Sequence, residues 1–440
     1  MTRRMKSVVY ICSPLLVLFL VVTFIEAPLV GLGITFIAAT AVLRFTVNRS
    51  ALQGVALLGA VAFPVIVPPL YTPLPGFTGM MLGALWLVVF CVNAETRFTD
   101  RSWLLLFVPV VLGVLWPVLD GQMPDVSVVV LYGALVGLIS GRQTVSNRNL
   151  VHLGLITFGV IEAGVCITEF IVFRGDPLNP DSGLHPLYEG TRTEGTAGHG
   201  ILAGIVILVA LALVLSRPMR PERRWPLVLV LVAGIVPTGS SSVYVGAILC
   251  FAYPLLVRGH LLWRLIKILI ATAAGIYVLF VARILDPVIA DVSGVNSTHR
   301  LNSITSMPNL VTERPILESL FGSGWGSERA NYLSGALIND NFYTLDNMFA
   351  TVLMASGLIG LALFVVLVVT ALAQSDSRSR LPLIAVLLMF FSFDVLLWAS
   401  SGAIFALLAF GASRPGTAIE TRFAPHQTDL RVSVPEYASS

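Results

Sequence analysis

Charge is what this chain has least of. Only 12% of its 440 residues are Asp, Glu, Lys or Arg, while 56% are hydrophobic and mean hydropathy is +0.88. Soluble domains carry roughly a quarter charged residues, so this composition points to a polytopic membrane protein instead. Cysteine is scarce as well. Cys12, Cys91, Cys166 and Cys250 all lie in apolar stretches and read as small buried hydrophobes, which leaves neither a disulfide framework nor a metal site. The net charge of +3 gives no reason to expect a nucleic-acid partner, because the arginines fall where membrane orientation requires them. No fixed-period repeat is present, and the one low-complexity candidate is the polar tail after Gly416, which reads as a disordered end.

What the chain has in abundance is long apolar runs. Crossing a bilayer takes roughly 17–25 such residues in a helix. Candidate spans are 7–25, 28–44, 52–70, 77–94, 103–119, 126–141, 149–173, 198–216, 225–238, 241–257, 261–282, 346–373, 381–396 and 398–412. The expected fold is therefore an all-α polytopic membrane protein of about 12–14 transmembrane helices, with a large extracytoplasmic loop between two late helices. The short hairpins 225–257 and 381–412 could include re-entrant segments. Arg3, Arg4 and Lys6 resemble the start of a signal peptide, but no clear small-residue cleavage site follows Phe24, so the first run reads as an anchor.

Arginines and lysines set the orientation. Arg44 and Arg49, Arg97 and Arg101, Arg142 and Arg148, Arg217 to Arg224, Arg258 to Lys267, and Arg378 and Arg380 occupy alternate connections. The positive-inside rule makes these, and both termini, cytoplasmic in a multi-pass cell (inner or plasma) membrane protein. The two large polar connections, 174–197 and 283–345, then share the outer side. The chain divides into N-terminal helices 1–173, a first outer loop 174–197, middle helices 198–282, a large outer loop 283–345, C-terminal helices 346–413 and a tail 414–440.

Candidate chemistry lies in those two loops. The first contains Tyr188-Glu-Gly-Thr-Arg192-Thr-Glu-Gly-Thr-Ala-Gly-His199 directly before a span. Glycines allow close backbone approach, and a guanidinium can grip phosphate bidentately, so an anion site at a helix start is one reading. A snorkelling anchor is the other. The second loop contains Ser297-Thr-His299-Arg300-Leu-Asn-Ser-Ile and Arg314-Pro-Ile-Leu-Glu-Ser-Leu-Phe-Gly322-Ser-Gly324-Trp-Gly326. It closes on Leu345-Asp346-Asn347-Met-Phe, followed by Gly357-Leu-Ile-Gly360-Leu.

This order of elements, over roughly residues 186–361, resembles the O-antigen ligase and O-antigen polymerase superfamily of lipid-linked glycan transferases. The resemblance maps an early-loop arginine to Arg192, the long-loop arginine to Arg300, the glycine turn to Gly322 and Gly324, and the catalytic-region pair to Asp346 and Asn347. It departs in two places. Where many members carry Ser-Arg near a middle span, this chain reads Pro237-Thr-Gly-Ser-Ser-Ser242-Val-Tyr244, leaving Arg283, Arg314 or Arg329 to supply that contact. Where ligases place histidine, this chain has Asp346, the form associated with repeat-unit polymerases.

The resemblance implies transfer of a glycan from a polyprenyl-diphosphate-linked donor to a sugar hydroxyl outside the membrane. Its expected partners are that donor, the glycan acceptor and the lipid bilayer. Fixed guanidiniums on Arg192 and Arg300 would stabilise the leaving diphosphate, so neither a metal nor another cofactor is expected. Asp346 is the candidate base, with a helix N-cap as its alternative role. Asn347, His299, Arg314 and Glu169 are candidate substrate contacts. Glu162 and Glu169, seven apart on one helix face, could instead pair with the arginines. Gly357 and Gly360 read as packing glycines, and Asp394 as a buried polar contact or cavity residue. The leading function is metal-independent, inverting repeat-unit polymerisation of a surface polysaccharide. Ligase-like transfer of a finished glycan to a lipid, protein or wall acceptor is the first alternative, and a transporter or flippase of an anionic lipid-linked substrate the second.

Overall fold

The computed structural model describes residues 51–66, 78–91, 108–114, 125–140, 145–174, 191–257, 266, 295–338 and 343–411. The expected spans 7–25, 28–44 and 261–282 lie almost entirely outside these, as does the tail. Every regular element among the described residues is helical, with no strand. The apolar runs form α1 (Leu52–Ile66), α2 (Thr78–Cys91), α3 (Asp125–Ser140), α4 (Val145–Thr168), α5 (Gly200–Ser216), α6 (Pro221–Ile235) and α7 (Ser241–Val257). The polar stretch 295–333 holds four short helices: α8 (Val295–Thr305), α9 (Met307–Thr312), α10 (Ile316–Phe321) and α11 (Glu328–Leu333). After it come α12 (Met348–Gln374), α13 (Arg380–Met389) and α14 (Ala399–Phe410).

Two helical stretches, Asn147–Phe173 and Met348–Gln374, are long and apolar enough to cross a membrane alone. α13 and α14 are not. Their 10 and 12 residues reach only about 15–18 Å at 1.5 Å per residue, half a hydrocarbon core. Residues 390–398 between them hold a short 3₁₀ turn at Val395–Leu397 and largely buried side chains. Non-helical backbone in such a place needs partners. It finds them in Met348, whose N donates to Phe390 O at 2.8 Å, and Ser401, whose Oγ donates to Val395 O at 2.6 Å.

α5 is the central helix. Gly200 through Val214 are all buried, and α4, α6, α7 and α13 pack around it. Small residues bring the axes together: a Cβ on Gly159 would lie 2.3 Å from that of Ala210, and one on Gly234 would lie 2.4 Å from that of Ala163. Such contacts are how apolar helices associate where no water is displaced. The outer faces are apolar too: Leu153, Ile161, Leu229, Val245, Ile248 and Val369 are exposed.

α12 reads as one apolar run, yet it breaks at Gly357, whose φ 66° and ψ −170° are non-helical. That leaves the carbonyls of the first half-helix without their intrahelical donors. The turn 322–324 supplies replacements: Ser323 N donates to Met354 O at 2.9 Å and Gly324 N to Ala355 O at 3.0 Å. Gly322 takes φ 86° and ψ 172°, and the two glycines abut each other's backbones; a Cβ on Gly357 would lie 2.3 Å from Leu320 O, and one on Gly322 2.2 Å from Ala355 O. Gly357 is thus the point where the helix breaks as well as a packing residue.

Candidate functional site

Arg300 and Asp346 meet. Arg300 Nε lies 3.9 Å from Asp346 Oδ2, with the side chains 23% and 32% exposed. That separation is an ion pair too long for a hydrogen bond, and at this exposure it adds little stability. α8 carries Arg300 at its middle, and Asp346 sits where the chain enters α12.

The cap of α12 is Asn347. Its Oδ1 accepts from Phe349 N at 3.0 Å and Ala350 N at 3.1 Å, and the residue is 2% exposed. Capping therefore falls on the second residue of the Asp-Asn pair, and Asp346 is not committed to it. Asn347 Oδ1 is occupied by this duty.

Arg314 is buried and points the other way, into the broken helix. Its Nε donates to Leu310 O at 2.6 Å, and Nη1 donates to Ser323 Oγ at 2.9 Å and Met354 O at 3.1 Å. Nη2 donates to Leu353 O at 3.4 Å. A cation at the carboxyl end of a half-helix is favourably placed against the helix dipole. These four acceptors account for Arg314 as a brace between the 322–324 turn and α12. Burial pushes its guanidinium below the usual range, and the neighbouring Glu318 works against that.

His299, the residue before Arg300, is buried and lines a small cavity with Asn302, Ser303, Ser306 and Leu345. Ser306 Oγ accepts from Ile338 N at 3.0 Å, closing α9 against the end of the 327–338 segment.

Arg192 lies on the segment that runs into α5. Two glutamates of the α4 stretch hold this segment. Glu162 Oε2 accepts from Thr196 Oγ1 at 2.6 Å, and Glu162 Oε1 accepts from Ala197 N at 3.2 Å. Glu169 Oε2 accepts from Glu194 N at 3.2 Å and Gly195 N at 3.0 Å. Both glutamates thus act as acceptors for the backbone turn that follows Arg192. Thr193 N adds a bond to Pro237 O at 3.1 Å, which ties in the Pro237-Thr-Gly-Ser stretch.

Sequence reasoning missed how the two loops are joined. His199 caps α5 through Nδ1, which accepts from Ile201 N at 3.3 Å. Its ring stacks on Phe393, with centroids 5.7 Å apart, and lies 5.4 Å from Trp398. The charge of Arg192 acts on His199. One residue after Phe393, Asp394 accepts from Thr351 Oγ1 at 2.7 Å and lies within electrostatic reach of Asp346 and Glu328. The 390–398 break therefore links the Arg192 segment to the Arg300–Asp346 pair. The sequence marked Asp394 as a buried polar contact or cavity residue but gave no sign that its neighbours Phe393 and Trp398 pack on His199.

The arrangement gathers two guanidinium-bearing segments and a partly exposed carboxylate at one end of the bundle. Guanidiniums can hold a phosphate and steady the charge it gains as a bond to it breaks. A carboxylate within reach can take a proton from a hydroxyl. No protein-family model and no curated protein sequence matches this chain, so these residues are the whole basis for assigning its chemistry.

Proposed function

We propose that the protein spans a membrane many times and transfers a glycan from a polyprenyl-diphosphate donor to a sugar hydroxyl at its outer face. The membrane reading is supported by the exposed apolar side chains along α4, α6, α7 and α12, which acyl chains would cover and water would not favour. The outer face is the end that carries Arg192, Arg300 and Asp346, since Arg148, Arg217 and Arg378 gather at the opposite end.

The observation that carries the chemical reading is the Arg300–Asp346 pair beside a helix that Asn347 already caps. In the proposed step the acceptor hydroxyl oxygen attacks the anomeric carbon of the donor sugar with inversion. The bond from that carbon to the diphosphate oxygen breaks, polyprenyl diphosphate leaves, and the hydroxyl proton passes to Asp346. Arg192 and Arg300 hold the leaving diphosphate. Aspartate rather than histidine at position 346 favours joining of repeat units over transfer of a finished glycan.

Reconstitution of the purified chain with a defined polyprenyl-diphosphate oligosaccharide tests this. Lengthening lipid-linked chains are expected from the parent protein and none from Arg192→Ala or Arg300→Ala, with both variants present at normal levels in the membrane. Product formed only after addition of a separate acceptor would identify a ligase. Unchanged chain-length distributions in both variants would refute the site.

A further inference from the structure

At the end of the bundle away from Arg300, three connections converge. Arg148 at the start of α4 lies 3.7 Å from Asp376 on the α12–α13 turn. Ser216, at the end of α5, donates its Oγ to Arg378 O at 2.9 Å. Arg224 of α6 reaches back to donate Nη2 to Arg217 O at 2.7 Å, and Arg380 donates Nη2 to Ser375 O at 2.8 Å. Five guanidiniums, those of Arg148, Arg217, Arg224, Arg378 and Arg380, thus share one neighbourhood.

The acid that the described residues bring among them is Asp376, and both of its oxygens are engaged. Oδ2 faces Arg148, and Oδ1 accepts from Arg378 N at 3.1 Å and Ser379 N at 2.7 Å. The cluster is left strongly cationic. Burial and the Arg378 charge both push the Arg217 guanidinium below its usual range.

Arginines are expected at the cytoplasmic ends of membrane helices, and such side chains ordinarily snorkel with their heads in water. These do something else. Arg217 Nη1, Arg224 Nε and Arg380 Nε, with the hydroxyl of Ser379, are shielded from solvent and have no hydrogen-bond partner among the described residues. Buried donors without acceptors are rare in folded proteins, and clustered guanidinium donors are best satisfied by an anion. The clustered charge and the several unsatisfied donors favour an anion with several oxygens, such as a phosphate diester at headgroup depth.

We propose that this basic cluster binds the phosphate of an anionic phospholipid headgroup in the leaflet on its side of the membrane. The site is at the opposite end from the transfer chemistry and does not depend on it.

The test is thermal unfolding of the purified full chain in detergent, titrated in parallel with phosphatidylglycerol, phosphatidylcholine and inorganic phosphate. Phosphatidylglycerol is expected to raise the midpoint saturably, with the other two having little effect. The double variant Arg217→Gln/Arg380→Gln, measured against its own lipid-free midpoint, should need about tenfold or more phosphatidylglycerol, since charge-assisted bonds are lost. Arg223→Gln, which removes an exposed charge at the start of α6 beside Arg224, should titrate like the parent. Equal responses to the two lipids, or an Arg223→Gln defect as large as that of the double variant, would refute a built site. A shift reproduced by inorganic phosphate alone would refute the lipid. Should the double variant not fold, native mass spectrometry of the parent decides, by whether phosphatidylglycerol is retained over phosphatidylcholine from a mixed micelle.

Discussion

At the scale of single residues, the Asp346-Asn347 pair separates two jobs that its sequence leaves merged. Either side chain is a good N-cap, so only the backbone geometry shows that Asn347 holds the two free amides of α12 while Asp346 turns to Arg300. Asn347→Ala is therefore expected to cost about 1 kcal/mol of stability, measured by thermal unfolding in detergent, and Asp346→Asn to leave the midpoint near that of the parent. Transfer activity should fall in Asp346→Asn by on the order of a hundredfold or more if it takes the proton; a variant that kept full activity would remove Asp346 from the chemistry. Glu328 offers a second test. Its Oε1 is shielded from solvent without a hydrogen-bond donor among the described residues, and burial pushes its carboxyl above the usual range. An acid whose folded pKa is raised binds its proton more tightly in the folded state. The stability it confers is full below the unfolded pKa and drains away as pH rises through the folded one. Glu328→Gln should abolish that part of the decline and raise the unfolding midpoint at neutral pH, with little change near pH 4. Identical pH profiles for variant and parent would contradict the burial.

At the scale of elements, the sequence was informative where polarity alternates in blocks and silent where two backbones touch. The apolar runs of α4, α5 and α12 could be read directly, because each is bounded by charged or polar residues such as Arg148, Arg217 and Asp346. The break in α12 could not, since 346–373 is evenly apolar and its cause is the approach of Gly322 from a distant turn. The role of Arg314 was hidden for the same reason: the carbonyls it braces are exposed only by that break. The stretch 295–333 was recognisable as polar but not as four helices, each too short to show a clear repeat except α8. Glu162 and Glu169 could be placed on one face by their spacing, but not matched to the amides they accept. The break itself can be tested with Gly357→Ala. Its φ and ψ belong to a region that only glycine occupies readily, at a cost of roughly 1–3 kcal/mol for other residues, and the new Cβ would press on Leu320 O. The variant should melt well below the parent, whereas Gly335→Ala, at φ 84° with open space around its Cβ position, should lose only the conformational part. Equal midpoints for the two variants would mean the α10–α12 contact is not as close as described.

At the scale of the whole molecule, the packing of the described helices sets two distinct ends. The start of α4, the end of α5 and the α12–α13 turn carry Arg148, Arg217 and Arg378 at one end. The end of the α4 stretch, the start of α5, the start of α12 and the 390–398 break carry Glu169, His199, Asp346 and Asp394 at the other. The α4 stretch, α5 and α12 each run from one of these ends to the other. If a membrane lies between those ends, a polar reagent added from outside should reach one and not the other. Ala330→Cys, on the exposed side of α11, and Arg223→Cys, at the start of α6, are suitable probes because both positions are exposed, and Cys166 and Cys250 are buried. With Cys12 and Cys91 replaced by serine to lower the background, a membrane-impermeant maleimide applied to intact cells should label Ala330→Cys and spare Arg223→Cys until the cells are opened. Labelling of Arg223→Cys in intact cells with Ala330→Cys protected would invert the orientation, and would put the Arg300–Asp346 pair on the cytoplasmic side, against the proposed function. Equal labelling of both in intact cells would deny that a bilayer separates the two ends at all.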